Sequence, residues 1–445
     1  MVFVNGTENH TVTEKSPLLP QADPQQKLAY PLSSKKKTFG NIVISVVGAG
    51  VLGLPYTFMR TGWLTGSLVL VIIGYACYYC MMLLVSTRKK LDTEGRVGIA
   101  TFSDVGFYAY GKVGRAVVDF TVVLSQGGFC VGYLIFIGEN LASILSSFDS
   151  QSPKKSPGVA YTGLGLDQLV TSNHNSSFLG LDWGSKGTYV WLLFPLQVGL
   201  AAIRSLTHLA PFSIFADVAN ALAMAVVMKD DIVQIEGGLR HVTASTGASS
   251  IPFAIGVAIY AFEGIPLVLP LESVMKEKTK FGRVMGFAMS WIAALYITFG
   301  LLGYLAFGNE TEDIVTLNLG ESWETLVIQL GLCVGLFFTY PVMMHPVHEV
   351  IERRFSPGQH SHVFRTLMVL FTAIFAATVP RFADFMSLVG SSACSILVFI
   401  LPALFHLRVR KDELSPYAKG LDYFLITFGV TFGIWGTISA LLNIF

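Results

Sequence analysis

The sequence encodes an all-α polytopic membrane protein. Of its 445 residues 52% are apolar and only 13% charged, about half the charge of ordinary soluble domains. The apolar residues gather into eleven runs of about the length a helix needs to cross a ~30 Å hydrocarbon core. Two of those runs are broken by glycine and proline at what would be mid-membrane. A single soluble core could not absorb so much apolar surface. Lys and Arg total 30 against 29 acids, so nothing in the net charge points to a nucleic-acid partner.

Residues 1–38 form a polar, proline-bearing tail, expected to be disordered and cytosolic. It carries Glu14-Lys15-Ser16-Pro17-Leu18-Leu19, an acidic dileucine pattern of the kind that adaptor complexes read as a sorting signal. The remainder, 39–445, is read as one transmembrane domain. The expected spans are 39–60, 64–86, 114–145, 187–204, 206–228, 250–272, 283–307, 323–345, 362–380, 382–406 and 421–444. A mixed run at 101–110, ahead of the third span, is expected along the cytosolic face.

With the N-terminus cytosolic, the loops and helix ends on that side hold 21 Lys and Arg and the opposite side seven. The positive-inside rule favours this orientation, and an odd number of spans puts the C-terminus on the lumenal side. Beyond the tail, the sequons at Asn175 and Asn309 both fall in expected lumenal loops, as glycosylation requires. The five cysteines all lie in apolar runs, which implies neither a disulfide framework nor a metal site.

The first span contains Gly48-Ala49-Gly50-Val51-Leu52-Gly53-Leu54-Pro55 and the sixth Phe262-Glu263-Gly264-Ile265-Pro266-Leu267-Val268-Leu269-Pro270. Each has too many breakers for a continuous helix. The likeness of GVLGLP to GIPLVLP, five spans apart, suggests two inverted repeats at about 39–228 and 250–406, with an added helix at 421–444. A mid-membrane break frees backbone N–H and C=O groups that lipid cannot satisfy. Half-helix N-termini suit a carboxylate and exposed carbonyls suit an ammonium group, so a zwitterionic amino acid matches both. The alternative is that the glycines only permit close helix packing.

These stretches resemble the amino acid/auxin permease family, most closely its plant vacuolar exporters and animal proton-coupled transporters. The likeness is carried by TFGN (38–41), GAGVLGLPY (48–56), RTGW (60–63), FIGENL (136–141), PFSIFADVAN (211–220) and YAFEGIPLVLPLE (260–272). The resemblance implies a leucine-transporter-like fold, five plus five helices with one more at the C-terminus, and coupling to protons. Cargo within the family ranges from small neutral to aromatic amino acids and auxin, so the resemblance does not fix the cargo, and no cofactor is implied.

Glu263 is the leading site residue, because an ionisable group at mid-membrane is costly to keep. It is expected to carry a proton or meet an ammonium group, or else to cap the half-helix that follows it. Asp217 in the fifth span is a second coupling candidate, with an interhelical hydrogen bond as the alternative. Glu139, beside Asn140, is a third, against an interfacial polar contact. The backbone at Gly48, Ala49, Gly50 and Val51 is expected to hold the substrate carboxylate, and Tyr260, Phe262 and Gly264 to shape the pocket. Tyr340, before Pro341, is a further wall candidate unless it marks only a kink. His208, His345 and His348 are read as solvated helix ends. Together these expectations describe a carrier exporting neutral amino acids, aromatic ones within range, from a vacuolar or lysosomal lumen. A plasma-membrane uptake symporter and an amino-acid sensor with little transport are the alternatives.

Overall fold

The computed structural model describes residues 32–149, 185–203, 210–320, 322–355 and 361–444. The tail signal at Glu14, Leu18 and Leu19, the sequon at Asn175 and His208 lie outside them. Among the described residues the architecture is helical throughout, with a lone backbone bridge between Ser33 and Met275.

The first apolar run divides as its glycines require. α1 (Lys35–Val46) stops where Val47 turns extended, a 3₁₀ stretch covers Ala49–Gly53, and α2 (Leu54–Thr61) resumes with Pro55 in its first turn. Proline fits there because its missing N–H has no helical partner anyway. The two arms are bent by 53°. α3 (Trp63–Thr93) follows after Gly62, whose φ of 88° favours glycine. The loop at 243–246 packs against that turn: Trp63 N–H donates to the Thr243 carbonyl at 3.1 Å.

α4 (Phe102–Asp149) is interrupted at Tyr110 and Gly111, where φ reaches 63°. The short arm before the break folds back on the long one, and a Cβ on Gly114 would stand 2.1 Å from the Gly106 carbonyl oxygen. Asp104 caps this arm by accepting from the Thr101 and Ala100 amides at 3.0 and 3.2 Å, and it pairs with Arg115 at 3.0 Å. α5 (Lys186–Ala201) and α6 (Ala210–Glu236) complete the first half.

The sixth run divides into α7 (Ile251–Ala261) and α8 (Ile265–Val274), with Phe262, Glu263 and Gly264 between them. α9 (Phe281–Phe307), α10 (Trp323–Phe355) and α11 (His362–Thr378) follow. α12 (Phe382–Val389) runs through π-helical turns at Gly390–Cys394 and Ile396–Ile400 into α13 (Leu401–Val409), and α14 (Pro416–Ile444) ends the chain. The wide turns let Gly390 press against α7 so closely that a Cβ would lie 1.9 Å from the Gly256 carbonyl oxygen.

Seven helices among the described residues are long and apolar enough to cross a membrane, and the bent pair of α1 with Ala49–Thr61 makes an eighth. α5 and α11, at 16 and 17 residues, are shorter. α6 carries Asp217, Lys229, Asp230 and Asp231 along its length. The protein is therefore a polytopic helical membrane protein, with long, mostly buried helices at its centre. All five cysteines are buried and free.

Candidate functional site

The two interrupted helices meet. A Cβ on Gly50 would lie 3.2 Å from the Tyr260 ring and 3.3 Å from the Ala261 Cα, while one on Gly264 would lie 3.0 Å from Val46 Cγ2. Tyr296 of α9, fully buried, ties the breaks together. Its hydroxyl stands 3.2 Å from the Val46 carbonyl oxygen and 3.0 Å from that of Ala261, so one proton is shared between the last carbonyls of α1 and α7. Those carbonyls lost their helical donors at the breaks, and leaving them bare would cost about 1–3 kcal/mol each.

A cavity of about 210 Å³ opens at this junction. Ser45, Val46, Gly48, Ala49 and Gly50 form one wall, and Tyr260, Ala261, Glu263, Gly264, Pro266 and Leu267 the facing one. Val122, Gln126, Phe129 and Tyr133 of α4 and Val342, Met343 and Pro346 of α10 close the sides. Leu267 is 41% exposed and marks the mouth, on the α1 and α8 side of the breaks. Among the described residues, the amides of Gly48, Ala49 and Gly50 make no backbone hydrogen bond. Nothing stands within 4 Å of where a Gly48 Cβ would be, so the chain at Gly48 borders open space. Gly50 and Gly264, by contrast, serve close packing as well as the cavity.

Glu263 is 7% exposed, and its Oε1 has no hydrogen-bond partner among the described residues. No side chain caps α8, so the capping alternative for Glu263 is not what the structure shows. Glu263 lines the cavity and is the one carboxylic residue in a wall with no lysine or arginine. The Tyr260 hydroxyl, also without a partner, stands 2.8 Å from where a Gly132 Cβ would be, and the Phe129 ring meets the Tyr260 ring edge-on at 4.6 Å.

Six of the nine expected substrate-binding positions thus line the cavity: Gly48, Ala49, Gly50, Tyr260, Glu263 and Gly264. Val51 and Phe262 are fully buried behind it, Phe262 against Gly74 and Tyr296. Tyr340 is turned away: its hydroxyl meets Thr372 Oγ1 at 2.6 Å, toward α11, and Val342, Met343 and Pro346 supply the α10 wall instead. Asp217 is half-buried and does not line the cavity, and it makes no hydrogen bond or ion pair among the described residues. His348 is a correction. It is buried, 3% exposed, because α10 continues past the expected span end to Phe355 and carries it inside the bundle. His345 is half-buried.

On the α2 and α12 side of the breaks stands a cluster of charge. Asp384 of α12, with no exposed surface, takes Arg60 of α2 at 2.8 Å and Arg381 at 2.8 Å. The Arg60 guanidinium also lies 4.2 Å above the Phe253 ring, a cation–π contact. Beside Asp384, Glu139 pairs with Lys186 at 3.1 Å, and the same ammonium donates to the carbonyls of Val379 and Pro380. Asn140 accepts from Thr316 Oγ1 at 2.7 Å. Glu139 and Asn140 are therefore held in this polar cluster and do not line the cavity. In the adjoining loop Asp313 accepts from the Phe382 amide at 2.8 Å, while burial raises its carboxyl above the usual range.

Asp231 was missed from sequence because Lys229-Asp230-Asp231 reads as a charged loop. It lies on α6 with no exposed surface and neither carboxylate oxygen bonded among the described residues, one of them 3.6 Å from where a Gly303 Cβ would be. Tyr296 and Asp384 were missed too. Asp384 could have been flagged as an acid within an apolar run, but a tyrosine in such a run gives no signal of its own.

Broken helices meeting at a partly open, amphiphilic chamber define a membrane carrier. Residues 32–442 match the family described as transmembrane amino acid transporter protein, and the chain belongs to that family. It is 49% identical over its whole length to the amino acid transporter AVT3C of Arabidopsis thaliana, 99% of which is covered. Against AVT3B of the same plant it is 49% identical over 93% of this chain and 95% of that one. Against the vacuolar amino acid transporter 3 of Schizosaccharomyces pombe it is 26% identical over 86% of this chain and 54% of the relative. The protein is an amino acid transporter, not an enzyme.

Proposed function

We propose that this chain is an eleven-helix, leucine-transporter-like carrier that moves neutral amino acids, aromatic ones included, together with protons from a vacuolar or lysosomal lumen to the cytosol. The observation that carries the reading is Glu263: a carboxyl 7% exposed and partly unpartnered, at the junction of two broken helices and inside the chamber. A charge there is costly without a counter-charge, so the group is stable when protonated or when an ammonium group is beside it. The substrate carboxylate meets the free amides at Gly48–Gly50, and its ammonium meets Glu263 and the nearby carbonyls. Walls without lysine or arginine leave an acidic side chain unpaired, which favours neutral cargo.

The five-plus-five arrangement with one added helix is supported by the matching breaks, α1/α2 and α7/α8. The positive-inside count and the chain's N-terminal lysines support a cytosolic α1. In that orientation the mouth at Leu267 faces the cytosol and the Asp384 cluster faces the lumen, an inward-open arrangement. A lumen richer in protons then drives cargo outward, and the name of the yeast relative supports the vacuolar assignment. Glu263 and Asp231 are the carboxyls whose surroundings best suit proton coupling; Asp217 remains a lesser candidate, and Glu139 acts through the polar cluster.

The test is counterflow of a labelled amino-acid panel in proteoliposomes, with and without a pH gradient. Glu263→Gln should abolish gradient-driven accumulation. Wild-type proton dependence in that variant would remove Glu263 from the mechanism, and binding without flux in the wild type would turn the reading toward a sensor.

A further inference from the structure

Away from the chamber, a groove of about 510 Å³ runs between the start of α1 and the start of α9. Its rim holds four cations, Lys35, Lys36, Lys280 and Arg283, and its wall holds Phe39 and Phe287. Glu277 is the counter-charge, 3.1 Å from Lys35 and 2.5 Å from Lys280. Lys280 and Lys35 hold its carboxyl below the usual range, so it stays ionised. Lys36 and Arg283 form no ion pair among the described residues, which leaves the rim with surplus positive charge.

Below the rim the groove becomes aromatic. The Phe39 ring lies 5.4 Å from Phe287 and 6.4 Å from Trp291, one helical turn further along α9. Phe287 is 65% and Trp291 46% exposed, on the outer face of a membrane-length helix. Cations at the end of a span, with an exposed aromatic strip descending from them, match one kind of molecule. An anionic headgroup meets the rim while the acyl chain lies along the strip. A free phosphate would engage only the cations, and a soluble peptide could not follow the strip into hydrocarbon.

We infer that the α1–α9 groove is a binding site for an anionic phospholipid of the leaflet that borders it. The site bears on transport because α1 walls the chamber. A headgroup shared by Lys36 of α1 and Arg283 of α9 holds that half-helix against its neighbour. The inference rests on reading α1 as a half-helix within the membrane, not on cargo or coupling.

The experiment titrates dioctanoyl phosphatidylinositol phosphate into the purified full-length protein in neutral detergent, with soluble inositol phosphate and inorganic phosphate as parallel probes. The double variant Lys36→Ala/Arg283→Ala should weaken lipid binding roughly 10- to 30-fold, as the loss of two interfacial cations implies. Phe287→Ala should weaken the lipid but not the soluble probes. Lys411→Ala/Lys419→Ala, which removes equal charge elsewhere, should leave binding unchanged. Wild-type lipid affinity in the first variant, equal weakening in the control pair, or soluble phosphates binding as tightly as the lipid would each overturn the inference. All the altered side chains are exposed or at the rim, and an unchanged melting temperature verifies folding. Because no flux is read, failure here leaves the proposed transport activity standing.

Discussion

Gly264 offers the sharpest perturbation. Its Cβ would sit 3.0 Å from Val46 Cγ2, against 3.4–4 Å for ordinary contact, with the next neighbour, Met81 Cε, at 3.9 Å. Gly264→Ala must therefore push Val46 of α1 away from the start of α8 by a few tenths of an ångström, beside the chamber. Overpacking of this size costs about 1–3 kcal/mol. Val46→Ala removes the methyl in the way, so the double variant Val46→Ala/Gly264→Ala should recover most of the loss. The assay is a double-mutant cycle of thermal unfolding in detergent, with counterflow on the same four proteins. The single glycine variant should be less stable and slower, and the coupling energy should be about 1 kcal/mol or more in the restoring direction. Additive effects of the two changes would refute the packing argument. Because the added methyl aims at Val46, the double variant should keep the wild-type preference for cargo size. A shift toward smaller amino acids would show instead that the added methyl intrudes on the substrate.

Further outcomes follow from the same geometry. Tyr296→Phe strips the shared donor from two buried carbonyls and should lower stability by about 1–3 kcal/mol while slowing counterflow; a melting point and rate equal to wild type would dismiss it as the tie between the breaks. Asp384→Asn leaves two arginines without their common partner and should loosen the α2 and α12 side of the breaks, raising labelling of a cysteine placed beside Phe253 from that side; unchanged labelling would mean that other contacts keep it shut. Changing Leu18 and Leu19 to Ala should redirect a tagged protein from the vacuolar membrane to the cell surface, and undisturbed localisation would withdraw the sorting role.

The breaks could be read in advance because their cause is local. Glycine and proline deny a helix its propensity and its donors wherever the chain places them, so Gly48 to Pro55 and Gly264 to Pro270 declared themselves. Glu263 was legible for a similar reason, as an acid within an apolar run. Orientation about a helix axis was not. Tyr340 and Met343 are neighbours on one strip of sequence, yet one faces α11 and the other the chamber, which only packing decides. His348 looked solvated because the apolar run ends before it, although the helix does not. Asp231 was concealed by two charged neighbours that face outward while it faces in. The Tyr296–Val46 and Arg60–Asp384 contacts join residues 250 and 324 positions apart, and no periodicity encodes such meetings.

The two arms flanking the mouth are anchored unequally. The far end of α8 is gripped by Glu272, fully buried and 2.5 Å from Arg88, where water cannot loosen the bond. α1 is fastened at its outer end by exposed Lys35 on Glu277 and by the strand-like touch of Ser33 on Val274. One leaf of the door is bolted and the other only latched, with its hinge at Val47 and Gly48. Dissolved salt, which screens exposed charges over about 8 Å at physiological strength, reaches the latch and not the bolt. Raising the ionic strength on that side of the membrane should therefore weaken the latch and leave the bolt unchanged.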